Sequence, residues 1–161
     1  MSSPAGSARP TGTCTRPLLR SEAARNSLLD EPTIAEVLER AGTADIAMVG
    51  IGAVGTGSSS EILDGLGLSA TERKAFLAEG PVGDTCCRYF DAEGRPIRGV
   101  VHDRVLAIEL DRLQQIPTVI GVATGADKAQ GVLGALRGHL VDGLVADAAL
   151  ALALMSEPRK R

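Results

Sequence analysis

Apolar residues along this chain alternate between helical spacing and short continuous runs from Ser21 onward. Short apolar or β-branched runs are typical of buried parallel strands, and stretches with helical spacing are typical of the helices that cover such strands. Runs at 45–49, 118–123 and 140–146 fit strands. The pattern therefore predicts an α/β fold with a mostly parallel sheet flanked by helices.

Capping residues predict where several helices begin and end. Thr33 and Glu36 have the spacing of a capping box in a helix that Gly42 would end, and Ser69 and Glu72 repeat that spacing. The helix that begins at Ser69 is predicted to reach residue 79, and further helices are predicted over 111–115, 127–137 and 148–155. Residues 50–60 are too rich in glycine and serine for regular structure, so we expect a loop there.

A β-hairpin is predicted near residues 84–101. Residues 83–90 have the pattern of one strand, residues 91–95 have turn chemistry, and a second strand would run from about 97 to 101. On such a strand the adjacent Cys86 and Cys87 would point to opposite faces, so neither is expected to bind a metal.

Composition limits the domain count, the compartment and the partners. A chain of 161 residues with 44% hydrophobic content can form one domain, which we place at residues 18–156. The net charge of −3 provides no cationic surface for nucleic acid, so we expect no direct binding by this chain. Few cysteines, no signal-peptide core and no membrane-length apolar run favour the cytoplasm.

The two ends of the chain are expected to lie outside the domain. Residues 1–17 predict a frayed or disordered extension, and residues 157–161 predict a tail. The first 13 residues lack acidic side chains, a composition that also fits a transit peptide or a misplaced start.

A glycine motif follows the first predicted strand. Gly50, Gly52 and Gly55 have the spacing of the dinucleotide fingerprint, in which glycines let the backbone approach a pyrophosphate. The fingerprint requires an acidic residue at the end of a strand about 20 residues later, but that region is predicted to be helical. We therefore favour a tight loop at the carboxyl edge of the sheet and expect no cofactor.

Charged residues at strand ends suggest a binding site for anions and hydroxyl groups. Gly125 and Lys128 lie where a strand passes into a helix, so backbone N–H groups and an ammonium would converge there. Asp84 begins an apolar strand, and Asp103 with Arg104 interrupts another apolar stretch. These residues suit polyol and phosphate recognition, although a surface lysine and structural ion pairs would explain them too.

Catalytic and metal-binding patterns are weak. Serine, cysteine and histidine residues have no triad spacing, and no Cys/His ligand spacing occurs, so we expect neither a catalytic centre nor a metal site. His102 and His139 are interpreted as ordinary polar residues.

Several segments in order resemble the SorC family of sugar-responsive transcriptional regulators, whose effector domain has a NagB/RpiA/CoA-transferase-like fold. The resemblance runs from about residue 18 to residue 154. Its most specific segments are DIAMVGIG (45–52), GPVGDTCCRYFD (80–91), EGRP (93–96), HDR (102–104), IPTVIGVA (116–123), KA (128–129) and residues 135–147.

The resemblance implies binding of a phosphorylated sugar or polyol without turnover, in a homo-oligomer. By position, Asp84 would hold sugar hydroxyls and Lys128 would contact phosphate or a hydroxyl, with Asp103 and Arg104 lining the same pocket. The candidate ligand-binding residues are Gly52, Gly83, Asp84, Asp103, Arg104, Gly125 and Lys128.

The sequence also departs from the family. His102 and Thr124 stand where asparagine and glycine are common, and the residues before Leu18 are too few for the family's helix-turn-helix and first α/β segment. We therefore expect a truncated effector domain that lacks its own DNA-binding segment. Two alternatives stay open, namely a sugar-phosphate isomerase or deaminase with Asp84 as base, and a vestigial oligomerisation module.

Overall fold

The computed structural model describes residue 19, residues 21–55 and residues 57–157. The predicted extension over residues 1–17, and residues 158–161 of the predicted tail, lie outside the described residues. The helices are α1 (Glu22–Leu29), α2 (Pro32–Gly42), α3 (Gly57–Gly65), α4 (Ala70–Ala78), α5 (Leu110–Leu113), α6 (Ala129–Arg137) and α7 (Ala148–Ser156). The strands are β1 (Ile46–Gly50), β2 (Gly52–Ala53), β3 (Gly83–Thr85), β4 (Arg88–Phe90), β5 (Thr118–Ala123) and β6 (Gly143–Ala146).

The main sheet is parallel, as the apolar runs predict. Its strand order is β1-β5-β6, with Ile46 paired to Thr118 and Val122 paired to Val145. One face of β5 carries buried Val119 and Ala123, which belong to the larger core cluster together with residues of α6 and α7. The α/β fold class is therefore confirmed.

A second, antiparallel sheet of order β2-β3-β4 contains the predicted hairpin, but its turn lies elsewhere. The expected single strand over 83–90 is two strands, reversed at Cys86 and Cys87, which have φ angles of 50° and 60°. Positive φ at both central residues matches the twist of paired strands, a role usually filled by asparagine and glycine. Cysteines at these positions concealed the turn, and the prediction of their opposite-facing side chains on a strand was wrong.

The second predicted strand of the hairpin does not form over 97–101. Only a bridge between Phe90 and Pro96 and a 2.9 Å bond from the Ile97 amide to the Tyr89 carbonyl continue the pairing. The turn over residues 91–95 does form, with the Gly94 amide donating to the Asp91 carbonyl at 2.9 Å.

Two other local predictions were wrong. The expected loop over 50–60 contains β2 and the start of α3, because Leu63 of that helix and Leu66 just after it pack in a smaller core around Tyr89. Helix α2 begins at Pro32 with Glu31 as its N-cap, so Thr33 lies inside the first turn and forms no capping box. Proline is favoured at the first helical position, where its missing N–H costs nothing.

The capping box of Ser69 and Glu72 is present as predicted, with the Ser69 amide donating to Glu72 at 2.7 Å. Among the described residues, every helix is too short or too polar to cross a bilayer.

Candidate functional site

The two sheets meet at the carboxyl end of β1. The chain passes from β1 into β2 within two residues, and the Thr85 hydroxyl of β3 donates to the Gly50 carbonyl at 2.9 Å. In the antiparallel sheet, Gly52 pairs with Asp84 and therefore places this carboxylate beside the end of the parallel sheet. The carboxyl edge of an open α/β sheet is where ligands of such folds usually bind.

Glycines bring helix α6 unusually close to β2 and β3. A Cβ atom added to Gly131 would lie 2.5 Å from the Gly52 carbonyl oxygen, and one added to Gly83 would lie 2.7 Å from the Gly131 Cα. Only hydrogen at these Cα atoms allows the helix backbone to contact the strands. The start of α6, preceded by Lys128, is thereby held against the strand that carries Asp84.

Asp84 is a buried carboxylate that accepts a hydrogen bond from a neighbouring side chain. The residue is only 6% exposed, and the Ser59 hydroxyl donates to its Oδ1 atom. Burial raises the pKa of Asp84, while the Ser59 hydrogen bond and the positive charge of Lys128 oppose that rise. A side chain at position 52 would collide with both Asp84 and Ser59, so Gly52 provides the space that this pair occupies.

Ser59 is held in place by Tyr89. The Tyr89 hydroxyl donates to the Ser59 carbonyl at 2.8 Å, and Tyr89 pairs with Asp84 across β3 and β4. Burial raises the pKa of Tyr89, so the phenol remains a donor at neutral pH. Sequence analysis did not identify Ser59, because a serine-rich run has no signal that distinguishes one buried hydroxyl from its neighbours.

Lys128 lies half-buried at the end of a 3-10 turn over Ala126–Lys128 that leads into α6. Within the described part of the chain, its ammonium makes no salt bridge. A cation at the start of a helix opposes the helix dipole, and an anion bound there would offset both charges.

The amide of Gly125 already has a hydrogen-bond acceptor within the protein. It has a φ of 97°, and its amide donates to both carboxylate oxygens of Asp147 at 3.2 Å. Asp147 also caps α7 by accepting from the Leu150 amide at 2.9 Å. Gly125 therefore shapes the turn before Lys128, and its amide is not the free donor that the sequence suggested.

Arg104 has structural partners. It lies in a 3-10 turn over His102–Arg104, and its guanidinium donates to Glu72 at 2.6 Å and to the Leu66 carbonyl at 3.4 Å. This contact with α4 is the ion-pair role that the sequence left open. Asp103 and Arg104 line a surface cavity of about 330 Å³ together with Ser21, and no described hydrogen bond or ion pair joins either residue to Asp84 or Lys128.

Arg88 is a buried cation that the sequence did not indicate. Its side chain is 1% exposed and donates to Glu109 at 2.7 Å, to the His102 carbonyl at 2.8 Å and to the Ala107 carbonyl at 3.0 Å. These bonds attach residues 102–109 to β4, so Arg88 is structural. The Nε2 atom of His102 lies 3.4 Å from the Oε2 atom of Glu109. Burial and the positive charge of Arg88 lower the pKa of His102.

The described residues include no group of three histidine, cysteine or acidic side chains that could hold a metal ion. The Asp84 and Lys128 pair instead offers one acidic and one basic group at the edge of a sheet. A carboxylate accepts hydrogen bonds from hydroxyl groups, and an ammonium binds phosphate as a point charge.

Comparisons with known proteins agree on one family. A family model described as "Putative sugar-binding domain" matches residues 13–156. The chain is 37% identical over 127 residues to the transcriptional regulator LsrR of Klebsiella pneumoniae, and this match covers 78% of the chain and 39% of the regulator. The chain thus spans about 39% of the length of such curated relatives.

Solved structures give the same picture. One is described as "Putative Sugar-Binding Domain of Transcriptional Repressor from Vibrio fischeri", with a TM-score of 0.76 and 29% identity over 86% of this chain and 55% of that one. Another is the full-length sorbitol operon regulator SorC from Klebsiella pneumoniae, with a TM-score of 0.74 and 28% identity over 86% of this chain and 44% of the regulator.

Proposed function

The chain belongs to the family of sugar-binding domains of bacterial transcriptional regulators, and from that premise we propose that it binds a phosphorylated sugar or polyol effector without turning it over. The observation that supports this proposal is the buried carboxylate of Asp84 at the carboxyl edge of the sheet, against which glycine contacts hold the start of α6 and the preceding Lys128. One group suits hydroxyls and the other suits phosphate.

Asp84 would hold the sugar hydroxyls. Its Oδ1 atom accepts from Ser59, and its second oxygen has no hydrogen bond to any described residue, so that oxygen can accept from a ligand. Because the carboxylate is already desolvated, little water has to be removed when a hydroxyl binds. Gly52 and Gly83 would serve the site indirectly, because Asp84 and Ser59 fill the space beside Gly52 and helix α6 fills the space beside Gly83.

Lys128 would hold the phosphate. A phosphate at this position would meet the ammonium and the first amides of the helical turn, while Gly125 keeps the turn in a conformation that other residues rarely adopt. Arg104 would contribute only through the placement of α4, since its guanidinium donates to Glu72 there, and Asp103 lies in the same 3-10 turn as Arg104.

The regulatory role follows from the relatives, which are transcriptional regulators. A net charge of −3 gives this chain no cationic footprint for DNA, so the effector would act by changing a homo-oligomer that includes a DNA-binding segment. We place this complex in the cytoplasm. The isomerase alternative is less favoured because no second carboxylate or histidine is described beside Asp84, whose described partners are a hydroxyl and an ammonium.

Thermal unfolding against a panel of phosphorylated sugars and polyols, their unphosphorylated forms and inorganic phosphate tests the proposal. A ligand at 100 times its dissociation constant should add about 2.7 kcal/mol of stability. Lys128→Ala should remove the advantage of phosphorylated over unphosphorylated ligands. Lys74→Ala, which removes an exposed lysine of α4, is the matched control and should retain it.

Two results would contradict the proposal. One is the absence of stabilisation by every compound in the panel, as expected of a vestigial module. The other is conversion of a stabilising compound into a product, observed by NMR during incubation with the protein, which would favour the isomerase.

A further inference from the structure

One face of the parallel sheet is apolar and is left uncovered by the part of the chain that the structure describes. The register pairs Met48 with Ile120 and Val122 with Val145, and laterally paired residues project to the same side of a sheet. With Ile46, these residues form what we call the open face. The side chains of Ile46, Met48 and Val145 are 64%, 73% and 56% exposed.

The opposite face is packed. Val119 and Ala123 alternate along β5 with the open-face residues and are buried against Val132 of α6 and Leu150 of α7. None of the five open-face residues belongs to either core cluster of the described structure. The two faces of one sheet therefore have opposite environments although both are apolar.

An uncovered face is unusual for a parallel sheet. Such sheets are normally covered on both faces by helices, and a contiguous exposed patch of large apolar side chains marks an interaction surface. The other residues paired on this face are Gly50, Thr118 and Gly143, so it carries no charge. A partner for this face must itself be apolar.

The comparison with the Vibrio fischeri domain indicates the partner. That chain is described as a domain and not as a full-length regulator, yet the match covers only 55% of it. Nearly half of a domain of this kind is thus polypeptide that this chain does not match. We infer that the open face binds this complementary part of the family's α/β domain, through a helix layer with an apolar stripe laid across β1 and β5.

A helix layer suits this surface better than a second copy of the chain. Two copies meeting through their open faces would stack one parallel sheet on another, whereas parallel sheets are covered by helices in α/β folds. The neighbouring edge of β1 is also unpaired within the described residues, so the same partner could extend the sheet there.

Oxidation of methionine by hydrogen peroxide provides the test. Met48 lies on the open face, and Met155 is 83% exposed on α7, whose Leu150 and Leu154 pack on the opposite face. The chain is prepared alone and joined to the unmatched part of the Vibrio fischeri domain in the order found in that domain. A second chimera uses the unmatched part of the Klebsiella pneumoniae LsrR effector region.

In the chain alone, we expect both methionines to oxidise at similar rates. In a chimera that unfolds cooperatively, oxidation of Met48 should become at least about tenfold slower while Met155 stays reactive, because burial removes Met48 from the reagent. Equal rates at the two positions in folded chimeras would overturn the inference. So would failure of both chimeras to fold, or a chain that by itself forms a dimer with Met48 protected.

A pair of charge substitutions separates docking from general destabilisation. Met48→Glu should weaken binding of the separately expressed complementary polypeptide by roughly tenfold or more, because a carboxylate would be buried in an apolar interface. Leu152→Glu is the matched control, since Leu152 is 68% exposed on α7, and binding should be unchanged. Equal losses from both variants would contradict docking on the open face.

Discussion

Substitution of Gly131 by alanine tests how helix α6 is held at the candidate site. In most helices this change is stabilising, because alanine has a helix propensity about 1 kcal/mol better than glycine. In this protein, the added Cβ would lie 2.5 Å from the Gly52 carbonyl oxygen and 3.3 Å from the Gly83 Cα. Both atoms belong to the backbone, so no change of rotamer relieves the contact.

The expected magnitude follows from these distances. Carbon and carbonyl oxygen approach each other at about 3.3 Å or more, so α6 would have to withdraw from β2 by close to 1 Å. Overpacking of this kind costs about 1–3 kcal/mol. After subtraction of the propensity gain, we expect Gly131→Ala to lower the free energy of unfolding by up to roughly 2 kcal/mol and Tm by up to roughly 8 °C.

Urea and thermal unfolding, compared with Gly143→Ala, measure the effect. Nothing lies within 4 Å of a Cβ at Gly143, so this control should remain near wild type. Withdrawal of α6 would also move Lys128 away from Asp84, which should weaken binding of a phosphorylated effector. A Gly131→Ala variant that is more stable than wild type would refute the close approach of helix and strand.

Three further predictions concern the buried side chains of Arg88 and Asp84 and the exposed N-cap residue of α7, Asp147. Arg88→Met should lower the free energy of unfolding in urea by about 2–4 kcal/mol, because it leaves buried carbonyls unpaired. The control Arg98→Met removes a partner of Glu109 that is 55% exposed and should lower it by less than about 1 kcal/mol. Equal losses in the two variants would contradict this prediction. Because burial raises the pKa of Asp84 in the folded state, the ionised carboxylate is destabilising above that pKa, so Asp84→Asn should be more stable than wild type at neutral pH. This advantage should shrink as pH falls through the raised pKa, and a difference that is constant with pH would refute it. Asp147→Ala should cost about 1–2 kcal/mol by removing the N-cap of α7, and faster amide exchange at the turn before Lys128 should accompany it.

Some local signals in the sequence were read correctly, although the capping box predicted at Thr33 and Glu36 does not form. The capping box of Ser69 and Glu72 joins residues three apart, and the β-branched run over 118–123 forms β5 with the expected alternating burial. The predicted hairpin turn was misplaced because Cys86 and Cys87 adopt positive φ, a conformation that the pairing of the flanking strands β3 and β4 supports. Helix α3 was missed because its stability comes from packing against Tyr89 and not from helix propensity.

The sequence by itself determined the α/β class and the parallel strands, and it predicted that Asp84 and Lys128 lie near the carboxyl edge, since apolar periodicity and strand-end polarity are encoded in neighbouring residues. Tertiary structure decided which groups surround that pair. It brings the Ser59 hydroxyl to Asp84, 25 positions away in the chain. It also pairs the Arg104 guanidinium with Glu72 of α4 and the Gly125 amide with the Asp147 carboxylate. The physical reason is that these contacts join residues far apart in the chain, so tertiary packing decides them, as it decides the close approach of α6 to β2 and β3 at glycines.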